Sequence, residues 1–152
     1  MMSAWVIVAL AAVVIIVGLA LYAGKLLAQL KLQTQRQRQA IDKRNARILE
    51  SIHTIALAVS QDQCNLSEGA IRLTHLLNAL QFTQPQDFRS RYPGVHELYE
   101  KVKEMPTHEA RKEYKRNEIM RFDLQRAGFE HELEDKIKIE VKELARLEVP
   151  AY

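Results

Sequence analysis

Cysteine occurs once, proline four times and glycine five times in the 152 residues of this chain. A single thiol, Cys64, excludes an intramolecular disulfide and any zinc site built on cysteines, and it fits a reducing compartment. So few glycines and prolines suit helices with short connections better than sheets with many turns. No glycine-rich phosphate loop is present, since Ser67-Glu68-Gly69 holds one glycine only. The five histidines, His53, His75, His96, His108 and His131, form no HxxxH pair. The repeated Glu-x-x-His pattern of a carboxylate-bridged di-iron bundle is also missing. Glu130, His131 and Glu134 are close in sequence, but nothing marks them as a metal site. No metal, no cofactor and no catalytic residue is assigned.

Charge is absent from Met1 to Gly24, and the rest of the chain carries all 22 Lys/Arg and all 19 Asp/Glu. The run from Ala4 to Ala23 is 20 residues long, which as a helix spans a bilayer's hydrocarbon core. A single span must be helical, because lipid offers no partner for free backbone N–H and C=O groups. Trp5 and Tyr22 stand near its two ends, where amphipathic rings favour the headgroup level. A cleaved signal peptide fits less well, since nothing basic precedes a run that is too long. Between Lys25 and Arg47 there are seven basic residues, Lys25, Lys31, Arg36 and Arg38 nearest the span, against one acid, Asp42. The positive-inside rule then puts the N-terminus outside and the C-terminal domain in the cytoplasm. Beside a membrane these cations serve as topology signal and lipid-headgroup contact. Without interleaved aromatics they are a poor nucleic-acid site.

The segment from residue 25 to 39 is rich in Gln, Leu and basic residues and is read as a helical stalk. A soluble all-α domain follows at 40–152. Its first helix is expected from about Ala40 to Gln61, with Ile41, Ile48, Ile52, Ile55 and Val59 on one face and Leu49 and Ala56 beside them. The same spacing would serve a coiled coil between two copies, but over fewer than three clean heptads. Asn65 and Glu68 have capping-box spacing ahead of a second helix ending near Leu80. Leu66, Ala70, Leu73, Leu77 and Leu80 form its apolar stripe, and Glu68, Arg72 and His75 its polar one. Thr83 to Arg91 is read as a polar connection. Tyr92-Pro93-Gly94 opens a third helix, Val95 to about Met105, which Pro106 ends. Thr107 is expected to cap a last helix reaching about Leu147, either continuous or jointed near Gly128. Phe122, Phe129, Leu133, Ile137, Val141 and Leu144 mark its face, flanked by Met120, Leu124 and Ala127. Lys136 to Lys142 alternates with period two, but no second strand exists to pair with it. The expected fold class is therefore all-α: one N-terminal transmembrane helix, a helical stalk, and a soluble bundle of about four helices ending in a long one.

Several residue strings carry a resemblance: the uncharged N-terminal span, the Gln-rich basic stalk, Cys64-Asn65-Leu66-Ser67-Glu68-Gly69-Ala70-Ile71-Arg72-Leu73, Tyr92-Pro93, and Met105-Pro106 through Glu109-Ala110-Arg111. Together they resemble a family of small membrane-anchored gammaproteobacterial proteins classed as a domain of unknown function. The resemblance covers nearly the whole chain and implies a bacterial inner-membrane setting. It implies no activity, substrate or catalytic residue.

Three functional classes follow. The first is a membrane-tethered interaction or scaffold module, with lipids as one partner and a protein as the other. Its candidate surface is Glu68, Arg72 and His75, where Arg72 would pair with a carboxylate. The second is a small enzyme or ligand-binding bundle with a pocket near Cys64, Glu68 and His75. The third is a homo-oligomer assembling through the stalk and first helix.

Overall fold

Between Met2 and Ser60 the chain has no proline, and its two glycines, Gly18 and Gly24, sit among apolar side chains. Nothing stops a helix there, and a computed structural model shows α1 unbroken over Met2–Ser60. The structure describes residues 2–152, apart from the side chains of Met2 and His108. The helix expected to begin near Ala40 therefore has no beginning of its own. α2 is Leu66–Ala79, α3 Phe88–Arg91, α4 Pro93–Val102 and α5 Arg116–Leu144, with a 3₁₀ helix at His108–Glu113. There is no strand among the described residues. The chain divides into two units, one ending at Ile41 and the other running Asp42–Tyr152.

In the first unit every described side chain from Ser3 to Ala40 is exposed. This includes the run of Val, Ile and Leu that a water-soluble helix would bury on one face.

The second unit is built by stripes meeting. The end of α1 buries Ile52, Ala56 and Val59, and α2 buries Ala70, Leu73 and Leu77. α4 contributes Val95, Leu98 and Val102, and α5 contributes Leu133, Ile137, Val141 and Leu144. Each of the Val, Leu and Ile side chains among these stabilises the fold by about 1.5–3 kcal/mol relative to leaving it in water. α1 stops in a Schellman arrangement: Gln63 N–H reaches Ala58 O (2.8 Å), Asp62 N–H reaches Val59 O (3.2 Å), and Asp62 takes φ 57°. Gly69 lies where α2 crosses α1, and a Cβ there would overlap Val59 Cγ2.

Three further boundaries differ from the sequence reading. The connection at Thr83–Arg91 contains α3, because Asp87 accepts from Ser90 N–H (3.0 Å) and Phe88 has an apolar site to fill beside Phe82 and Tyr92. The third helix starts at Pro93, the N1 position that suits proline, and ends at Val102. The last helix does not start at Thr107, which makes no side-chain cap bond. A 3₁₀ turn intervenes, and α5 begins at Arg116, where the Glu118 carboxylate accepts from Lys115 N–H (2.9 Å). From there α5 runs straight through Gly128 and through the alternating Lys136–Lys142 stretch.

Candidate functional site

The site is assembled at the start of α2. Asn65 Oδ1 accepts from Ser67 N–H (2.9 Å), satisfying one of the donors a helix start leaves free. Glu68 does not complete the expected capping box. Its carboxylate turns instead to Arg72, one turn along (2.5 Å). The second cap comes from α5: Glu130 accepts from Ser67 N–H (3.2 Å) and from the Ser67 hydroxyl. A carboxylate at this end also meets the positive pole of the helix dipole.

Between this helix start, the end of α4 and the first half of α5 lies an open cleft of about 530 Å³. Ile71, Val102, Met105 and Pro106 form its apolar floor, and Glu68, Arg72, Arg111 and Arg126 its charged rim. Arg111 holds Asp123 by both ends of its fork (2.9 and 2.7 Å). Those hydrogen bonds keep the Asp123 carboxyl below the usual carboxylate range and raise Arg111 in turn. Arg126 is 3.8 Å from Asp123, and its side chain is only 24% exposed.

Of the three residues singled out on α2, the structure brings Glu68 and Arg72 together on the rim. His75 shares their helix but packs edge-on against Tyr99, ring centroids 5.4 Å apart, and does not line the cleft. Cys64 does not line it either. Its thiol is half-buried and leans on Asn65 O (3.6 Å). Burial raises its pKa and the nearby Glu68 raises it further, only partly offset by Arg72. That holds the thiol protonated, the opposite of what nucleophilic attack needs. Among the described residues no three His, Cys, Asp or Glu side chains converge as metal ligands. Glu130 is engaged by Ser67, and Glu134 by Lys138 (2.7 Å). Trp5, Tyr22, Lys25, Lys31, Arg36 and Arg38 all lie exposed on α1.

Sequence reasoning missed Arg111 and Arg126, which reach the cleft from the 3₁₀ helix and α5. It also missed three structural polar groups. Glu140, 7% exposed on α5, accepts from Gly94 N–H and Val95 N–H at the start of α4 (both 2.8 Å). Asn45, 3% exposed on α1, donates to Gln81 O (2.7 Å) and accepts from Gln81 N–H (3.1 Å). His53 Nε2 bonds Leu147 O (2.8 Å). The only sequence signal for Glu140 and Asn45 was a polar residue standing in an apolar stripe.

The fold and site define an all-helical protein with a long apolar N-terminal helix and a cleft-bearing helical unit. The chain belongs to the family described as "Protein of unknown function (DUF2489)", which matches residues 16–144. It is 43% identical over 130 residues to an uncharacterized protein of Haemophilus influenzae, and the alignment covers 86% of each chain. No solved structure matches it.

Proposed function

We propose that the protein is a single-pass, membrane-tethered interaction module of the bacterial inner membrane. Ala4–Ala23 crosses the bilayer and the helical unit works in the cytoplasm. The observation that supports this reading is the exposure of Ser3–Gly24: this segment of α1 has no charge, is apolar on all sides, and none of it is buried in the protein. At a bilayer centre Leu, Ile, Val and Phe each favour insertion by roughly 0.3–0.6 kcal/mol, so such a segment gains several kcal/mol there. Lys25, Lys31, Arg36 and Arg38 follow it at once and favour the cytoplasmic side. A tether raises the local concentration of the helical unit at a membrane partner without any new contact.

The test has two arms. After alkaline carbonate extraction the chain is expected in the membrane pellet. Fused at its C-terminus, a fluorescent protein is expected to be bright and alkaline phosphatase inactive. An active phosphatase fusion overturns the orientation, and full release by carbonate overturns the tether.

A further inference from the structure

We infer that the cleft between α2, the end of α4 and α5 binds a short acidic segment of a partner protein, seating its carboxylates on Arg126 and Arg72 and one or two apolar side chains on the floor below. This deepens the interaction-module reading and depends on it, though not on the tether.

Charge pairing around the cleft is incomplete in one direction. Three guanidinium groups meet there, Arg72, Arg111 and Arg126. Glu68 takes Arg72 by one nitrogen, and Asp123 takes Arg111 by both. Arg126 is left with a contact at 3.8 Å and no hydrogen bond to any described residue, although three-quarters of its side chain is withdrawn from solvent. A guanidinium carries five donors, so most of those on Arg126 are left to solvent and free to meet a ligand. Glu130 forms no ion pair with Arg126; its Oε1 is turned to Ser67 at the α2 N-terminus.

The chemistry that fits is a carboxylate. Arg111, which lines the cleft, shows the two-point geometry on Asp123 beside it, and planar forks of this kind match carboxylates best. The floor is apolar but short. Val102 and Met105 give room for one or two side chains of a peptide and too little for the acyl chains of a lipid. A volume of about 530 Å³ holds a few residues of an extended segment rather than a whole docking helix.

The full-length chain in a mild nonionic detergent is tested on an array of heptapeptides that alternate Asp or Glu with Leu, Val or Phe, beside the same peptides carrying Asn or Gln. The strongest binders are then titrated by fluorescence anisotropy. The acidic peptides are expected to bind at least tenfold more tightly than their amide counterparts. Arg126→Gln is expected to remove that preference, and Arg146→Gln, on an exposed residue after α5, to keep it. Arg72→Gln carries the same test independently: its side chain is 58% exposed, so its loss cannot be traced to core packing. An array with no acid-dependent binder overturns the proposal. So does a preference that survives both cleft variants, or one that falls equally with Arg146→Gln. Displacement of the peptide by phosphatidylglycerol vesicles, with loss of vesicle binding in Arg126→Gln, would give the cleft to a lipid headgroup instead. A failed topology experiment would leave each of these outcomes readable.

Discussion

Glu140 reaches across from α5 and accepts two backbone N–H groups at the start of α4, where helix donors otherwise have no partner. Gly94 eases its close approach, since a Cβ there would stand 3.0 Å from Glu140 Oε1 and the carboxylate would have to give by a few tenths of an ångström. Glu130 caps α2 with one backbone N–H and the hydroxyl of Ser67. Ten residues apart on one helix, the two carboxylates fix where two other helices begin. Glu140→Ala leaves both donors buried and unmet and is expected to cost about 2–4 kcal/mol, read as a lower midpoint in urea. Glu140→Gln keeps one acceptor and should lose less than half of that. An equal loss in the two variants would mean that the carboxylate's second oxygen and its charge contribute little.

At the scale of elements, the apolar stripes carry most of what could be read in advance. Ala70, Leu73 and Leu77 on α2, and Leu133, Ile137, Val141 and Leu144 on α5, are buried as their spacing of three and four implies. The flanking strip read on α5 is left uncovered toward its start. Met120 and Leu124 are 58% and 68% exposed, while the 3₁₀ helix and the residue after it meet other side chains of that end, Tyr114 on Phe122 and Arg111 on Asp123. Periodicity shows which face of a helix is apolar, not how far along a neighbour covers it. The crossing of α1 and α2 makes a sharper prediction. Gly69→Ala drives a methyl into Val59 and is expected to destabilise by about 1–3 kcal/mol despite alanine's better helix propensity. Combining it with Val59→Ala should recover part of the loss, a positive coupling that a double-mutant cycle measures. Strict additivity would show that the two side chains do not meet.

For the molecule as a whole, surface charge sets the acid limit. Asp123 is held below the usual carboxylate range by Arg111, Asp87 by the Ser90 hydroxyl, Glu97 by Lys101 and Glu100 by Lys103. A carboxyl whose folded value lies below its unfolded one adds stability at higher pH, present above the unfolded value of about 4. That contribution is lost as the pH falls through the folded value. Thermal stability is therefore expected to fall from about pH 4 downward, and less steeply in Asp123→Asn. Because these groups are exposed, 1 M salt should flatten the dependence, and an unchanged slope would point to a buried group instead.

What the sequence determined by itself is local. Helical class, the apolar stripes of the second unit and the uncharged N-terminal helix all follow from residues within four positions of one another, and the chain carries that information in any conformation. The tertiary structure decided the polar pairings: Glu130 on Ser67, Glu140 on Gly94, Asn45 on Gln81, and Arg111 with Arg126 facing Arg72. These partners lie between 36 and 63 residues apart in the hydrogen-bonded pairs, and each has many equivalent polar residues to choose from along the chain. Only the packing of apolar faces brings one particular pair together in a space dry enough for a missing hydrogen bond to be costly.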